Sequence, residues 1–416
     1  MTRADRNSRA NIEAAKDTLE SDVKVAVLGI GGLGRILALE LAADPRVTEL
    51  VLADKRGDRS KALKSIGRTA AVRPLQVDVA QPAALRDALS GVDVAVNATL
   101  PEFNLAVMGA CLEAGCSYID AWGLSPVAPG EKPGVLAQLD LDPAWRSRGL
   151  AAVVSMGSDP GVSSVMARAA ADRLETVNEI RILKAAAGRG DIEGYPLYSR
   201  TVFLRDALSP PTIWDGGKLI SVPFVSGEEE YEFPAPVGKR HVYQFFHEEV
   251  LTIPLRLGRP VGKVGYKHDI NPELVRAIVA LDALGLLRDE KRVQIGNGQT
   301  SFRDAFLATF PEPSTFTGPI EGTLAIVTEA IGTKADGSRM CVRASLVLDH
   351  REANRRRGTT AERYLTAVAI ASAAALLIGK KIPRTGVLAA EEIPLEVLLP
   401  EFEARGVTFR IEESAA

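Results

Sequence analysis

Two packed units, the first a parallel α/β sheet covered by helices, are what this sequence predicts, and three observations carry the prediction. From Val23 to Gly157 short apolar strand-like segments alternate with helical ones. The first of these strands runs into Gly29-x-Gly31-x-x-Gly34 and then a helix. After Leu174 the rhythm changes to strands joined by Pro- and Gly-rich turns. At 416 residues the chain also exceeds what one hydrophobic core usually holds.

The glycine triplet defines the first unit. Gly29 permits the tight turn out of the strand, Gly31 lets a phosphate approach the backbone, and Gly34 lets the helix lie close to the sheet. Free N–H groups and the positive dipole end of that helix then face a dinucleotide pyrophosphate. The second strand ends on Asp54, placed to accept hydrogen bonds from the adenosine ribose, which favours NAD and repels a 2′-phosphate. Lys55 and Arg56 follow at once and offer the opposite possibility, neutralising the extra phosphate of NADP. This is the Rossmann pattern, and the segments after it keep it. Residues 72–77 read as a strand ending at Asp78, 82–89 as a helix, 92–97 as a strand, 104–114 as a helix and 117–119 as a strand before Asp120. Strands with no polar face, separated by helices, form a parallel sheet. A further strand is read at 149–157, and Pro160-Gly161 opens the next helix.

The second unit reads as a mixed α+β domain with a largely antiparallel sheet. Its expected strands include 179–185, 218–225 and 241–253, with an amphipathic helix over 272–284. The segments 324–331 and 340–348 flank the turn Lys334-Ala335-Asp336-Gly337 as a β-hairpin. Thr359 with Glu362 three positions on reads as a capping box for an alanine-rich helix that ends at Gly379 and Pro383. With almost no polar face, and taken as shorter than a membrane span, that helix is expected to be buried against the first unit. The expected division is 1–22 as a flexible lead-in, 23–157 with 355–416 as the dinucleotide-binding domain, and 158–354 as the substrate domain.

Charge and composition narrow the function. With 53 acidic against 50 basic residues, nothing steers the whole chain to nucleic acid or to an anionic membrane. The run Arg355-Arg356-Arg357 reads as a solvated turn before the alanine-rich helix. Cys111, Cys116 and Cys341 are too few and too scattered for a disulfide framework, which points to a reducing cytoplasm. The opening residues have no apolar core and do not read as a secretory signal. No His/Cys spacing suggests a metal, and GxSxG is absent.

Candidate chemistry lies at the C-terminal edge of the parallel sheet. Asn97, Thr99 and the turn at Pro101 share that edge with Gly29 and are expected beside the ribose and nicotinamide. Asp78 either meets the adenine edge or caps the helix after it. Asp120 either handles protons or orients substrate in the cleft, or else fixes a loop. His247, with Glu248 and Glu249, is read on a strand that presents an imidazole and a carboxylate, or as a solvated edge residue. Arg181, Arg200, Arg205 and Lys218 are candidates for a substrate carboxylate.

These residues carry a resemblance. VAVLGIGGLG, LADK, VDVAVNATLPEFN, GCSYIDAWG, MGSDPG and GKKIPRTGVLAAEEI are similar to the saccharopine dehydrogenase-like oxidoreductases, in pattern most of all to lysine 6-dehydrogenases. The resemblance implies hydride transfer at a carbon bonded to nitrogen in a small amine or amino-acid substrate, with NAD or NADP, in a homodimer. It assigns Gly29, Gly31 and Gly34 to the pyrophosphate, Asp54 to the ribose, Asp78 to the adenine, and Asn97, Thr99 and Pro101 to the nicotinamide side. Asp120 and His247 are the candidates for proton handling. A condensing reductase of the saccharopine or carboxynorspermidine type is the alternative reaction, and a non-catalytic dinucleotide sensor or scaffold the alternative class.

Overall fold

The computed structural model describes residues 22–66, 70–126, 131–188, 199–223, 226–287, 292–310 and 320–416. The expected lead-in lies almost wholly outside them, as do two positions of the strand expected over 218–225.

The first unit is a seven-stranded parallel sheet. It is built by β1 (Val23–Leu28), α1 (Gly32–Ala42), β2 (Val47–Asp54), α2 (Gly57–Ala62), β3 (Ala71–Gln76), α3 (Pro82–Leu89), β4 (Val94–Asn97), α4 (Asn104–Ala114), β5 (Ser117–Asp120), α5 (Gly134–Leu139), α6 (Asp142–Ser147) and β6 (Ala151–Val154). Its strand order is β3-β2-β1-β4-β5-β6, closed by a late strand. The order reverses direction between β1 and β4, so a crevice opens above their C-terminal ends, where such sheets bind ligands.

Helix α7 (Val162–Ala171) leads to the second sheet, whose long strands are β7 (Thr176–Gly188), β12 (Val261–Asp269), β15 (Gly322–Thr333) and β16 (Arg339–Asp349). Between them lie α8 (Arg200–Leu208), β8 (Thr212–Asp215), β9 (Lys218–Ser221), β10 (Glu229–Phe233), β11 (Gly238–Gln244), α9 (Glu249–Arg256), α10 (Pro272–Ala283), the hairpin β13 (Arg292–Ile295) and β14 (Gly298–Ser301), and α11 (Phe302–Ala308). The sheet is antiparallel as expected except that β7 and β12 run parallel. β15 and β16 form the expected hairpin in unbroken register.

The chain then returns through α12 (His350–Arg357) and α13 (Ala361–Ile378) to β17 (Gly386–Ala389), α14 (Leu395–Ala404) and β18 (Arg410–Ala415). β17 joins β6 in the first sheet, but β18 pairs with β16 in the second, so the expected placement of 355–416 wholly in the first unit is corrected at its end. Both α13 and α7 are enclosed in a core that runs from β1 and α1 to β15 and β16. The 18 residues of α13 meet the length and composition of a membrane span, and 83% of them are buried inside the protein, as a core helix requires. Its cap is Thr360, whose side chain accepts the Arg363 N–H, rather than Thr359. The arginine run belongs to α12 and not to a turn: Arg357 pairs with Glu40 of α1, and Arg356 donates to the Tyr364 hydroxyl.

Candidate active site

The crevice above β1 and β4 continues into a cleft of about 490 Å³ walled by both units. At its dinucleotide end each glycine does a separate job. Gly29 takes φ +89°, and a Cβ there would stand 2.8 Å from the Ala98 carbonyl oxygen. At Gly34 a Cβ would stand 1.8 Å from the Gly29 oxygen, so only glycine lets α1 meet the strand end. A Cβ on Gly31 would meet nothing within 4 Å, leaving open space over the first turn of α1. Such a bare backbone at a helix N-terminus fits a pyrophosphate.

Asp54 borders this end and fixes the loop. One carboxylate oxygen accepts the Ile30 N–H at 2.7 Å and the other the Arg56 N–H at 2.7 Å. A carboxylate has further lone pairs, so the ribose contact remains open to it. Lys55 also borders the cleft, joined by Arg59, whereas the Arg56 side chain turns away to Asp58. Asp78 is an exposed margin residue that accepts the Ala80 N–H; the cap of α3 is Gln81.

Three expected site residues do not face the cleft. Asn97 and Asp120 are cross-strand neighbours on β4 and β5, and both point into a buried layer. Asn97 accepts from the Thr99 hydroxyl at 2.6 Å and donates to Asn104 and to the Tyr118 hydroxyl. Tyr118 in turn donates to Asp120 at 2.8 Å, which also accepts the Ser155 N–H and the Gln138 amide. Burial pushes the Asp120 carboxyl up to about 6, against those three donors. Asp120 is thus 1% exposed and serves as the loop-fixing carboxylate. Pro101 is buried too, and this part of the cleft is lined by Ala98, Thr99, Leu100 and Phe103.

His247 does face the cleft, though not from a strand. β11 stops at Gln244 and α9 begins at Glu249, so His247 precedes a helix. Its Nδ1 lies 2.5 Å from Glu249, its Nε2 3.7 Å from Asp159, and its ring stacks on Tyr266 at 3.8 Å. Burial alone would lower its pKa, but the charges of Glu249 and Asp159 outweigh burial and hold it above the ordinary value. Glu249 is itself anchored by the Ser163 hydroxyl, which fixes the ring.

Around the imidazole stand Glu248, already read beside it in the sequence, and three groups that the sequence reading did not single out, Lys184, Asp159 and Asp206. Lys184, on central β7, sends its ammonium to Asp159 at 3.1 Å and to Glu362 at 2.9 Å. Burial opposes its charge, but the two carboxylates overcome that and raise its pKa. Burial would also raise Asp159, yet Lys184 and His247 hold it down at about 2. Glu248 accepts the Gly123 N–H and the Ser155 hydroxyl, tying the two units together, and burial pushes it up to about 8. Asp206 accepts from Ser125 at 2.7 Å and is raised to about 6 by burial. Asp159 was legible as the acid of MGSDPG, and Lys184 only as one of two charges in the run IRILKAAAG. Asp206, on α8, carried no such signal.

The four basic candidates for a substrate carboxylate lie elsewhere. Arg181 pairs with Glu229 and Glu329, and Arg200 donates to the Phe310 carbonyl. Arg205 pairs with Glu102, and Lys218 stands on the exposed β8–β9 hairpin. None of them borders the cleft.

Comparison with known proteins places this geometry. Residues 25–153 match the model of the saccharopine dehydrogenase NADP binding domain, and residues 157–407 that of the saccharopine dehydrogenase C-terminal domain. The chain is 25% identical to carboxyaminopropylagmatine dehydrogenase of Synechocystis over 92% of its length and 96% of that protein. It is also 25% identical to carboxynorspermidine synthase of Vibrio cholerae, over 77% of this chain and 78% of that one. In fold it is similar to saccharopine dehydrogenase (L-Glu forming) of Saccharomyces cerevisiae, with a TM-score of 0.73, 15% identity, and coverage of 94% of this chain and 100% of that one. A homospermidine synthase of Legionella pneumophila, solved with NAD, gives 0.65 at 14% identity, over 95% of this chain and 92% of that one. With both family models matched along nearly its full length, the chain belongs to the saccharopine dehydrogenase family and is an NAD(P)-dependent oxidoreductase of amine and imine chemistry.

Proposed function

We propose that the protein is a condensing reductase, joining a cationic amine to a short carbonyl-bearing amino acid and reducing the C=N bond to a secondary amine. The sorting of charge in the cleft carries this reading: Lys184 and His247 stand among Asp159, Asp206, Glu248 and Glu362. An ammonium on this floor suits a substrate carboxylate, and the surplus of carboxylates suits an amine with more than one cationic nitrogen. The relatives named for carboxyaminopropylagmatine and carboxynorspermidine support this alternative more than the lysine 6-dehydrogenase reading.

When bound, the nicotinamide supplies the hydride that the imine carbon receives. The rest is work for the chain. Condensing an aldehyde with an ammonium and reducing the product consumes one proton per turnover as water leaves. We assign its delivery to His247, which lines the cleft with Nδ1 engaged by Glu249 and Nε2 3.7 Å from Asp159. Lys184, fixed by two carboxylates, orients the acid end of the substrate. Lys55 and Arg59 at the adenosine end support the use of NADP. The family likeness extends the proposal to a homodimer acting in a reducing cytoplasm.

The test follows oxidation of NADPH and of NADH with aspartate β-semialdehyde as the carbonyl partner and agmatine, 1,3-diaminopropane or putrescine as the amine. Oxidation that requires both partners is the expected result. Reduction of NAD or NADP by lysine alone, with none of the pairs consumed, would overturn it.

A further inference from the structure

The carboxylates around His247 differ in how far the fold has already used them. Asp159 accepts from the Ser158 and Tyr266 hydroxyls and pairs with Lys184 and His247. Glu362 pairs with Lys184, and Glu248 accepts the Gly123 N–H on one oxygen and the Ser155 hydroxyl on the other. Asp206 is different. Its Oδ1 accepts from Ser125 at 2.7 Å, but among the described residues its Oδ2 receives no hydrogen bond and no Lys, Arg or His nitrogen lies within 4 Å of either oxygen.

Helix α8 explains where this carboxylate stands. Ser199, Val202 and Asp206, spaced three and four apart, line the cleft from one side of the helix and its cap, while Phe203, Leu204 and Ala207 bury in the core of the second unit. Arg205 reaches Glu102 of the first unit at 3.5 Å, and Ser125 belongs to that unit too, so the helix is held across the gap from both ends of this contact. His247 and Lys184 both favour the charged form of Asp206, yet burial wins and leaves its carboxyl raised, at about 6. A cleft carboxylate that lacks a cation of its own gains most from a cationic ligand.

We infer that Asp206 seats the second cationic nitrogen of the amine substrate, the ammonium or guanidinium that takes no part in C–N bond formation, and thereby selects amines that carry two such groups. The identity of the ligand rests on the condensing-reductase reading above, but the seat is tested by binding without turnover. Titration calorimetry of the full-length protein with NADPH bound follows agmatine, 1,3-diaminopropane and propylamine, the last of which has no second nitrogen. Asp206→Asn keeps an acceptor for Ser125 and removes the charge. It is expected to raise the Kd of the two dications about 10- to 100-fold, the range of a hydrogen bond to a charged group, and to leave propylamine and NADPH binding unchanged. A rise for agmatine alone marks a guanidinium seat, and a rise for 1,3-diaminopropane alone an ammonium seat. With aspartate β-semialdehyde added, the same substitution should raise the KM of the seated amine and keep kcat. If no amine is consumed while the Kd still rises, the condensing reaction falls and the cation seat stands. Parent-like Kd values for both dications, an equal loss for propylamine, or no binding of either dication by the parent would overturn the assignment. Thermal melts report folding, and if Asp206→Asn does not fold, Asp206→Ser decides by the same ligands.

Discussion

The two ends of the cleft are built in opposite ways. At the dinucleotide end, Gly29, Gly31, Gly34 and Asp54 come from one β-α-β segment, and their roles are set by backbone geometry. At the other end His247, Asp159, Lys184, Asp206 and Glu362 come from five separate parts of the chain, and their roles are set by charge. The first design tolerates no added atom at two of its glycines. The second depends on each buried charge finding its partner, and so on both units docking together.

That contrast separates the consequences of mutation. The largest expected effect falls on turnover. His247→Ala removes the imidazole that lines the cleft and should lower kcat by about 10²- to 10⁴-fold, the usual worth of a positioned acid or base. Dinucleotide binding, measured by NADPH fluorescence, should stay as in the parent, because the glycine loop is untouched. A kcat close to the parent's would remove His247 from proton delivery.

Lys184→Met tests charge against geometry through stability. It leaves Asp159 and Glu362 buried without their cation, and breaking such a pair costs about 3–5 kcal/mol. The pH dependence gives the sign. Asp159 is held at about 2 in the folded protein, below the ordinary value of about 3.9 for an aspartate. Its contribution is therefore complete above pH ~4 and is lost as pH falls from there toward 2. Urea unfolding of the parent should show this acid loss. In Lys184→Met the carboxylate loses its main support, so the stability difference between pH 6 and pH 3 should shrink, and Asp159→Asn added to it should restore part of the deficit.

The same contrast explains what was legible in the sequence. Alternating strands and helices, the glycine loop and the hairpin at Asp336-Gly337 depend on neighbours in the chain, and each stands where the pattern put it. Asn97 and Asp120 were read as cleft residues because they end strands at the correct edge. Which way a strand-end side chain points is set by the pleat, and the shared register turns both inward. His247 was visible as a lone imidazole, but the residues after it fold as a helix: Val250 and Ile253 bury in the core of the second unit, Leu251 in that of the first, and Glu249 is anchored by Ser163. The four basic candidates failed for a different reason: each finds an anion, a carbonyl or solvent away from the cleft. Glu362 was read only as the partner of a helix cap and nothing local marks Asp206; their meaning comes from a lysine and a histidine that only the tertiary fold brings near.

The glycine end supplies the smallest and sharpest comparison, between two methyl groups three residues apart. In Gly34→Ala the new Cβ would stand 1.8 Å from a backbone oxygen, which cannot rotate away, so α1 must shift from β1. Overpacking of this kind costs about 1–3 kcal/mol, and both the melting temperature and dinucleotide affinity should fall. In Gly31→Ala the Cβ projects into open space, and because Gly31 is the N-cap of α1, where alanine is the poorer residue, stability should fall only slightly. Its Kd for NADPH should nonetheless rise, because the methyl occupies the approach of the phosphate. Calorimetry of the two variants with and without ADP-ribose separates the jobs: one glycine is needed for the helix to meet the sheet, the other only for the ligand. Equal loss of stability in both would mean that Gly31 serves the fold, and the pyrophosphate would then have to be held by the helix end without a bare backbone beneath it.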